Sequence, residues 1–271
     1  MPLNHQLQPL RDYYLARKFA WDPQAIDLAQ DRADWQTLGP TERDFMIHLC
    51  SLFVAGEEAV ASDLAPLLWA LGKVGGLREE EMFVSSQILD ESAHVEFFHR
   101  WFEVVVAQPI NFRSYWTPSY TAIFSEAMPQ ALEGLLTDRS DLAFVRALLN
   151  YHIIVEGVLA ETGYHAIFIA CQRNGILPGL AQGVSNVKRD ESRHIAYGIY
   201  ALQRIVGSNP ALMDQVNDIT NDLLDKALGV IPEALDRYGD SIPFGITLAE
   251  FVEYASDQFA KRFNAIERAV V

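Results

Sequence analysis

The frame Asp-Glu-Ser-x-His occurs twice in this chain, as Asp90-Glu91-Ser92-Ala93-His94 and as Asp190-Glu191-Ser192-Arg193-His194. In each copy a carboxylate and an imidazole stand at i and i+3, close to one helical turn, so both project from the same face. An anionic oxygen beside a neutral nitrogen suits a transition metal. Two such helices set face to face, with one more Glu from each of two other helices, make the inward-pointing ligand set of a dinuclear carboxylate centre. The chain must therefore bring two distant helices together and draw the remaining carboxylates from two further helices.

Two stretches can supply them. The segment 41–65 holds Gly56-Glu57-Glu58 among Phe53, Val54, Ala55, Ala59 and Val60, and the segment 141–172 holds Glu156 within Ile153-Ile154-Val155-Glu156-Gly157-Val158-Leu159. A carboxylate in such surroundings is costly unless paired or metal-bound. The expected hexad is Glu58, Glu91, His94, Glu156, Glu191 and His194. On spacing alone Glu57 rivals Glu58 evenly, Glu161 competes with Glu156, and His152 and His165 read as ligands or as ordinary helix histidines. Asp90 and Asp190 lie mid-helix, where each is expected to accept a hydrogen bond from a ligand imidazole. A third E-x-x-H, Glu96 to His99, shares a helix with the first copy. At ~100° per residue Glu96 stands roughly 140° round from Glu91 and faces elsewhere.

Helical patterns run the length of the chain. They are expected at 41–65 with a break near Pro66, at 77–106, at 118–136 interrupted by Pro129, and from 141 to a C-cap at Asn174-Gly175. Further helices are expected from Pro178 to about 206, at 210–228 and at 247–268. No run alternates as a strand does. The 271 residues, 50% of them hydrophobic, read as one all-helical domain over 1–271, with 1–20 as an N-terminal extension. The net charge of −15 argues against nucleic acid and anionic membranes as partners. Two cysteines in no C-x-x-C frame read as a reducing cytosol. Met1 to Lys18 lacks the apolar core of a leader, and no membrane span is read: the apolar 153–171 segment carries Glu156, Glu161 and His165. The expected location is cytoplasmic.

At its motif residues the chain resembles the small subunit of class I ribonucleotide reductase. It more closely resembles that subunit's relatives in the ferritin-like superfamily, the ligand-binding oxidases with a manganese–iron centre. The resemblance runs from about Trp21 to Phe263 and is densest at Phe53-Val54-Ala55-Gly56-Glu57-Glu58-Ala59-Val60, Tyr151-His152-Ile153-Ile154-Val155-Glu156-Gly157 and Asp190-Glu191-Ser192-Arg193-His194. It implies an all-α, ferritin-like helical bundle with a dinuclear metal site in the core and additional peripheral helices. In the oxidases a Val is expected two residues after the first metal-binding Glu and a Tyr five residues before the third. Val60 and Tyr151 take those places, which on this resemblance selects Glu58 over Glu57 and Glu156 over Glu161.

The resemblance further implies one manganese held by Glu58, Glu91 and His94 and one iron held by Glu156, Glu191 and His194, with Glu91 and Glu191 bridging; a di-iron centre is the variant. It implies activation of dioxygen, an ether cross-link between the Val60 β-carbon and the Tyr151 oxygen, a bound long-chain fatty acid, and a homodimer. Two other classes compete: a reductase small subunit that exports an oxidant to a partner, and a ferritin-like metal-binding protein. Tyrosyl-radical subunits carry a Tyr four residues after the first ligand His. Phe98 stands there, which excludes an ordinary tyrosyl-radical mechanism and leaves the manganese–iron reductases. The run Ala265 to Val271 is expected to end the last helix without the flexible tail that docks a large subunit.

Overall fold

The computed structural model describes residues 2–75 and 77–268, and among them no β-strand forms. The chain end at Ala269, Val270 and Val271, part of the run expected to lack a docking tail, lies outside the described residues. Helix α1 spans Gln8–Phe19 and α2 Ala29–Thr37; α3 spans Pro40–Asp63 and α4 Ala65–Val74. Helix α5, Arg78–Trp101, runs on as a π turn over Phe102–Val106. Short α6 (Pro118–Thr121) and α7 (Met128–Gly134) flank a π stretch at Ala122–Ala127. Then α8 (Asp141–Leu148), a π segment at Leu149–Ala160 and α9 (Glu161–Asn174) form one unbroken run. Helices α10 (Pro178–Ser208), α11 (Met213–Asp236) and α12 (Leu248–Glu267) complete the described chain.

Local chemistry sets these boundaries. Pro40 opens α3 with a φ already suited to a helix, and the Glu42 carboxylate accepts the Gly39 N–H at 2.7 Å. The break at Leu64 precedes Pro66, which has no N–H to continue the ladder. Helix α9 stops at Gly175 in the left-handed conformation, φ 63°. The start of α10 is satisfied from outside: Asp31 on α2 accepts the N–H groups of Gly179 at 2.7 Å and Leu180 at 2.8 Å.

Helix α3 packs on α5, and α10 packs on both α5 and the π segment, so the four elements that carry the motif residues surround one core. Helices α11 and α12 close over the π segment from outside. Within the stretch 1–20, expected as an N-terminal extension, Gln8–Phe19 forms α1, which docks on α5 and α10. Leu10 is wholly buried there, the Asn4 N–H donates to Glu79 at 2.6 Å, and Gln8 Nε2 donates to the Ala196 carbonyl at 3.0 Å. Pro40–Val74 and Asp141–Asn174 are long and apolar enough to cross a membrane, although the sequence reading found no such stretch. Both are mostly buried in the bundle, as core helices are.

Candidate metal centre

The doubled frame delivers its side chains as the i, i+3 geometry requires. Glu91 and His94 from α5 and Glu191 and His194 from α10 meet in the interior, all essentially inaccessible. The third contribution depends on the π segment. Hydrogen bonds from i to i+5 set residues five apart nearly over one another, so Tyr151 and Glu156 both turn inward, where an α-helix would splay them. The fourth contribution is from α3, and it is Glu57.

Two clusters share their middle members: Glu57, Glu91, His94 and Glu191 form one, and Glu91, Glu156, Glu191 and His194 the other. His94 Nδ1 lies 3.2 Å from Glu91 Oε2, 3.5 Å from Glu57 Oε2 and 3.4 Å from Glu191 Oε1. His194 Nδ1 lies 3.2 Å from Glu91 Oε1, 3.4 Å from Glu156 Oε1 and 3.4 Å from Glu191 Oε2. Glu91 and Glu191 therefore each turn one oxygen to each imidazole, with Glu57 near His94 and Glu156 near His194.

Glu58, preferred on the family spacing, does not join them. Its side chain is 53% exposed and its Oε1 meets His99 Nε2 at 2.7 Å, whereas Glu57 is 5% exposed. Adjacent residues of a helix differ by ~100°, so only one of the pair can face the core. The other competitors also have different partners. Glu161 pairs with Lys188 at 3.0 Å, His165 stacks on Tyr254, Glu96 accepts from Gln24, and His152 Nε2 contacts Gln87 Oε1 at 3.3 Å.

The two aspartates act across the helix pair. His94 Nε2 faces Asp190 Oδ2 at 3.4 Å, and His194 Nε2 faces Asp90 Oδ2 at 3.3 Å, so each frame's aspartate orients the other frame's imidazole. Arg193 Nη2 donates to both, at 2.7 Å to Asp190 and 3.0 Å to Asp90. Trp21 Nε1 donates to Asp190 Oδ2 at 2.7 Å. Burial works against ionising Asp190, but His94 and Arg193 outweigh it and bring its pKa down to about 2. Sequence reading passed over Arg193, Trp21, Gln87, whose Nε2 donates to Glu156 Oε1 at 3.0 Å, and Tyr164, whose hydroxyl approaches Glu191 Oε1 at 3.5 Å. No i, i+3 pattern marks contacts between helices.

Electrostatics fits this donor set to two divalent cations. Burial pushes Glu57 up to about 8, and burial followed by the Glu191 charge pushes Glu156 well up. Glu91 is also buried, yet hydrogen bonds and charge from His194 and His94 hold it well below the usual carboxylate range. Four carboxylates in one dry volume repel one another. His194 Nδ1 and Glu191 Oε2, 3.4 Å apart, and Glu156 Oε2 each lack a hydrogen bond of good geometry among the described residues. In each of the two groups one ligand atom from every residue lies within 4.8 Å of the others. The bundle interior holds a dinuclear-type carboxylate–histidine metal site.

Beside it lies a cavity lined by Val60, Tyr151, Leu52, Val155, Ile231 and Phe251, among others, and floored by Glu57, Glu91, Glu156 and Glu191. Tyr151 donates its hydroxyl hydrogen to Glu91 Oε1 at 2.7 Å. Phe98 stacks on Phe53 and Phe53 on Tyr164, with centroids 5.1 and 4.8 Å apart. Gly163 makes room for that column, since a Cβ there would lie 2.5 Å from Phe53 Cζ.

A family model described as ribonucleotide reductase, small chain, matches residues 10–266. The chain belongs to the ribonucleotide reductase small-chain family. Within it, the fold is that of the R2-like ligand-binding oxidases. One such oxidase, with an aerobically reconstituted Mn/Fe cofactor, is 31% identical with a TM-score of 0.93, over 97% of this chain and 94% of that one. A variant of an R2-like ligand-binding oxidase with an aerobically reconstituted Fe/Fe cofactor is 30% identical with a TM-score of 0.93, over the same shares of the two chains.

Variants in this group of oxidase structures fall at an adjacent Gly and Glu, at a Val three positions after that Glu, and at two tyrosines. The small-chain homologue described here repeats those spacings at Gly56-Glu57, Val60, and Tyr151 with Tyr164. The Val thus stands three residues, and not two, after the Glu that faces the core. Spacing and geometry agree on Glu57.

Proposed function

We propose that this protein is a dioxygen-activating oxidase whose metal pair, one manganese and one iron, is held by Glu57, Glu91, His94, Glu156, Glu191 and His194. Glu57 and His94 belong to one position, Glu156 and His194 to the other, and Glu91 and Glu191 join them. The observation that carries the reading is the convergence of Tyr151, Val60 and the four carboxylates on one mostly apolar cavity. When bound, the metals supply the redox equivalents and the coordination positions for dioxygen.

The chain's own residues supply the rest. Burial, and after it the charges of Glu156 and Glu91, raise the Tyr151 pKa well above that of a free phenol, so its hydroxyl stays protonated. Its hydrogen bond points that proton at Glu91 Oε1. Val60, 5% exposed, presents a tertiary C–H to the same cavity. Joining the Val60 β-carbon to the Tyr151 oxygen breaks one C–H and one O–H bond. It removes two hydrogens, and dioxygen takes up the corresponding electrons and protons. Phe53 and Tyr164 line the same cavity with apolar rings. The apolar wall beyond them suits the chain of a long fatty acid whose carboxylate lies at the metal end.

Peptide mass spectrometry on protein reconstituted aerobically with manganese and iron tests this. The peptides holding Val60 and Tyr151 should appear joined, lighter by two hydrogens than their sum, and only after exposure to air. Separate peptides in protein carrying both metals would sink the oxidase reading. One observation favours a second reading, export of an oxidant to a partner subunit: half-buried Trp21 connects through Asp190 to His94 by hydrogen bonds. That reading predicts unlinked peptides and a centre whose oxidised state persists longer when Trp21 is replaced by Phe.

A further inference from the structure

A second buried cluster, outside the metal centre, joins α5 to α10. Tyr197 is buried and donates its hydroxyl hydrogen to Glu80 Oε2 at 3.1 Å. Glu80 is buried too, and it also receives Arg204: Nη2 donates to Oε2 at 3.1 Å, and Nε lies 2.9 Å from Oε1. Arg204 is half-buried and carries the cluster to the surface. Glu80 and Arg204 alone would tie the two helices. The phenol adds to that tie an oxidisable ring with a proton to give.

Aromatic rings join Tyr197 to the site by two routes. It stands three residues after His194, about 4.5 Å along α10. The Phe83 ring neighbours both, its centroid 6.3 Å from that of His194 and 4.8 Å from that of Tyr197. On the cavity side, Tyr151 meets His152 with centroids 4.6 Å apart, and His152 meets Tyr197 at 5.4 Å. Electrons tunnel readily across gaps of this size.

Tyr197 differs from the other tyrosines of the site in what accepts its proton. Tyr151 donates to Glu91, and Tyr164 approaches Glu191, both members of the metal-binding clusters, whose lone pairs the ions would take. Glu80 stands outside both clusters. Oxidising a phenol makes it a strong acid, so the radical persists only where a free base takes the proton. Burial raises the Glu80 pKa against the pull of Arg204, which makes its carboxylate a better base.

We propose that Tyr197 is a one-electron donor to the oxidised metal pair and that Glu80 is the base that takes its proton. One electron passes from Tyr197 to the metals, which are reduced by one equivalent. The hydroxyl hydrogen passes as a proton to Glu80 Oε2, and a neutral phenoxyl radical remains at Tyr197. The oxidant is the metal pair after its reaction with dioxygen, so the proposal rests on the oxidase reading above. The donation acts when an oxidising equivalent is not consumed by Val60 and Tyr151, and it moves that equivalent off the carboxylates and imidazoles of the site.

Freeze-quench electron paramagnetic resonance tests this in Tyr151→Phe protein, where the ether cannot form, loaded anaerobically with manganese and iron and mixed with oxygenated buffer. A tyrosyl signal should develop and should narrow when the protein carries ring-deuterated tyrosine. It should be lost when Tyr197→Phe is added and kept when Tyr164→Phe is added. Glu80→Gln keeps the phenol and removes the base, so it should cut the yield and lifetime of the signal several-fold; it gives an independent answer should Tyr197→Phe disturb folding. Oxidised metals without a tyrosyl signal, a signal that survives Tyr197→Phe, or one indifferent to Glu80→Gln would overturn the proposal. Peptide mass spectrometry on the parent protein, reconstituted alongside, reads the cross-link separately, and joined peptides keep the oxidase reading whatever the radical does. Metals that stay reduced in air in both proteins would overturn the two together.

Discussion

At the scale of single residues, the choice between Glu57 and Glu58 decides what the site is. Glu57 falls on the stripe Met46, Cys50, Phe53, Val60 and Leu64, all buried at steps of three and four. Glu58 is off that stripe and pairs with His99 at the surface. Glu57→Ala should therefore bind about one metal ion fewer per chain, because ligand loss from a converged set costs far more than one contact. Glu58→Ala should keep the full complement, and elemental analysis after gel filtration separates the two outcomes. Equal metal loss in both variants would contradict the placement. The stripe was readable in the sequence; a family spacing misjudged by one residue outweighed it. Glu91, His94, Glu191 and His194 were legible because their relation lies within a single helical turn. The crossed pairs His94 with Asp190 and His194 with Asp90 were not, since only the meeting of two helices creates them.

At the scale of elements, the π segment and its packing on α10 position Glu156. His152 in that segment lies against Gly198 of α10, where an added Cβ would stand 2.2 Å from the His152 Cβ and 2.7 Å from its Cγ. His152 in turn contacts Gln87, and Gln87 donates to Glu156. Alanine favours a helix over glycine by about 1 kcal/mol, yet overpacking a filled interior costs about 1–3 kcal/mol. Gly198→Ala should thus be destabilising on balance. Gly134→Ala, with nothing within 4 Å of the new methyl, should be neutral or stabilising by up to about 1 kcal/mol. Denaturant unfolding of metal-free protein measures both, and a stabilised Gly198→Ala would mean that the two helices yield to each other. The π register was not legible, because apolar residues fill every side of 149–160 and no polar face betrays the period. Helix α1 was not legible for another reason: its buried face is Pro9, Leu10 and Ala16, while the larger Tyr14, Leu15 and Phe19 are exposed.

At the scale of the molecule, the bundle is built around charge it cannot neutralise by itself. Glu57, Glu91, Glu156 and Glu191 meet in one interior with His94 and His194 beside them and the neutral donors Tyr151 and Gln87, and burying carboxylates without counter-charge is costly. Two divalent cations match four carboxylates, so metal binding should stabilise the native state by mass action and by relieving that repulsion. Mass action alone gives about 2.7 kcal/mol for a metal at one hundred times its Kd. At about 2–4 °C per kcal/mol for a chain near this size, each saturated position should raise the thermal midpoint by roughly 5–10 °C. Anaerobic thermal unfolding of chelator-treated protein, with and without manganese and iron, measures this. Glu57→Ala should show about half the rise, since one position remains. A midpoint indifferent to both metals would mean that the converged carboxylates satisfy themselves by sharing protons, and the dinuclear reading would lose its energetic basis. The unperturbed parent fold provides the internal check: α1, α11 and α12 pack on the outside of the core helices, so the metal-free protein should retain its helical circular dichroism while its midpoint falls.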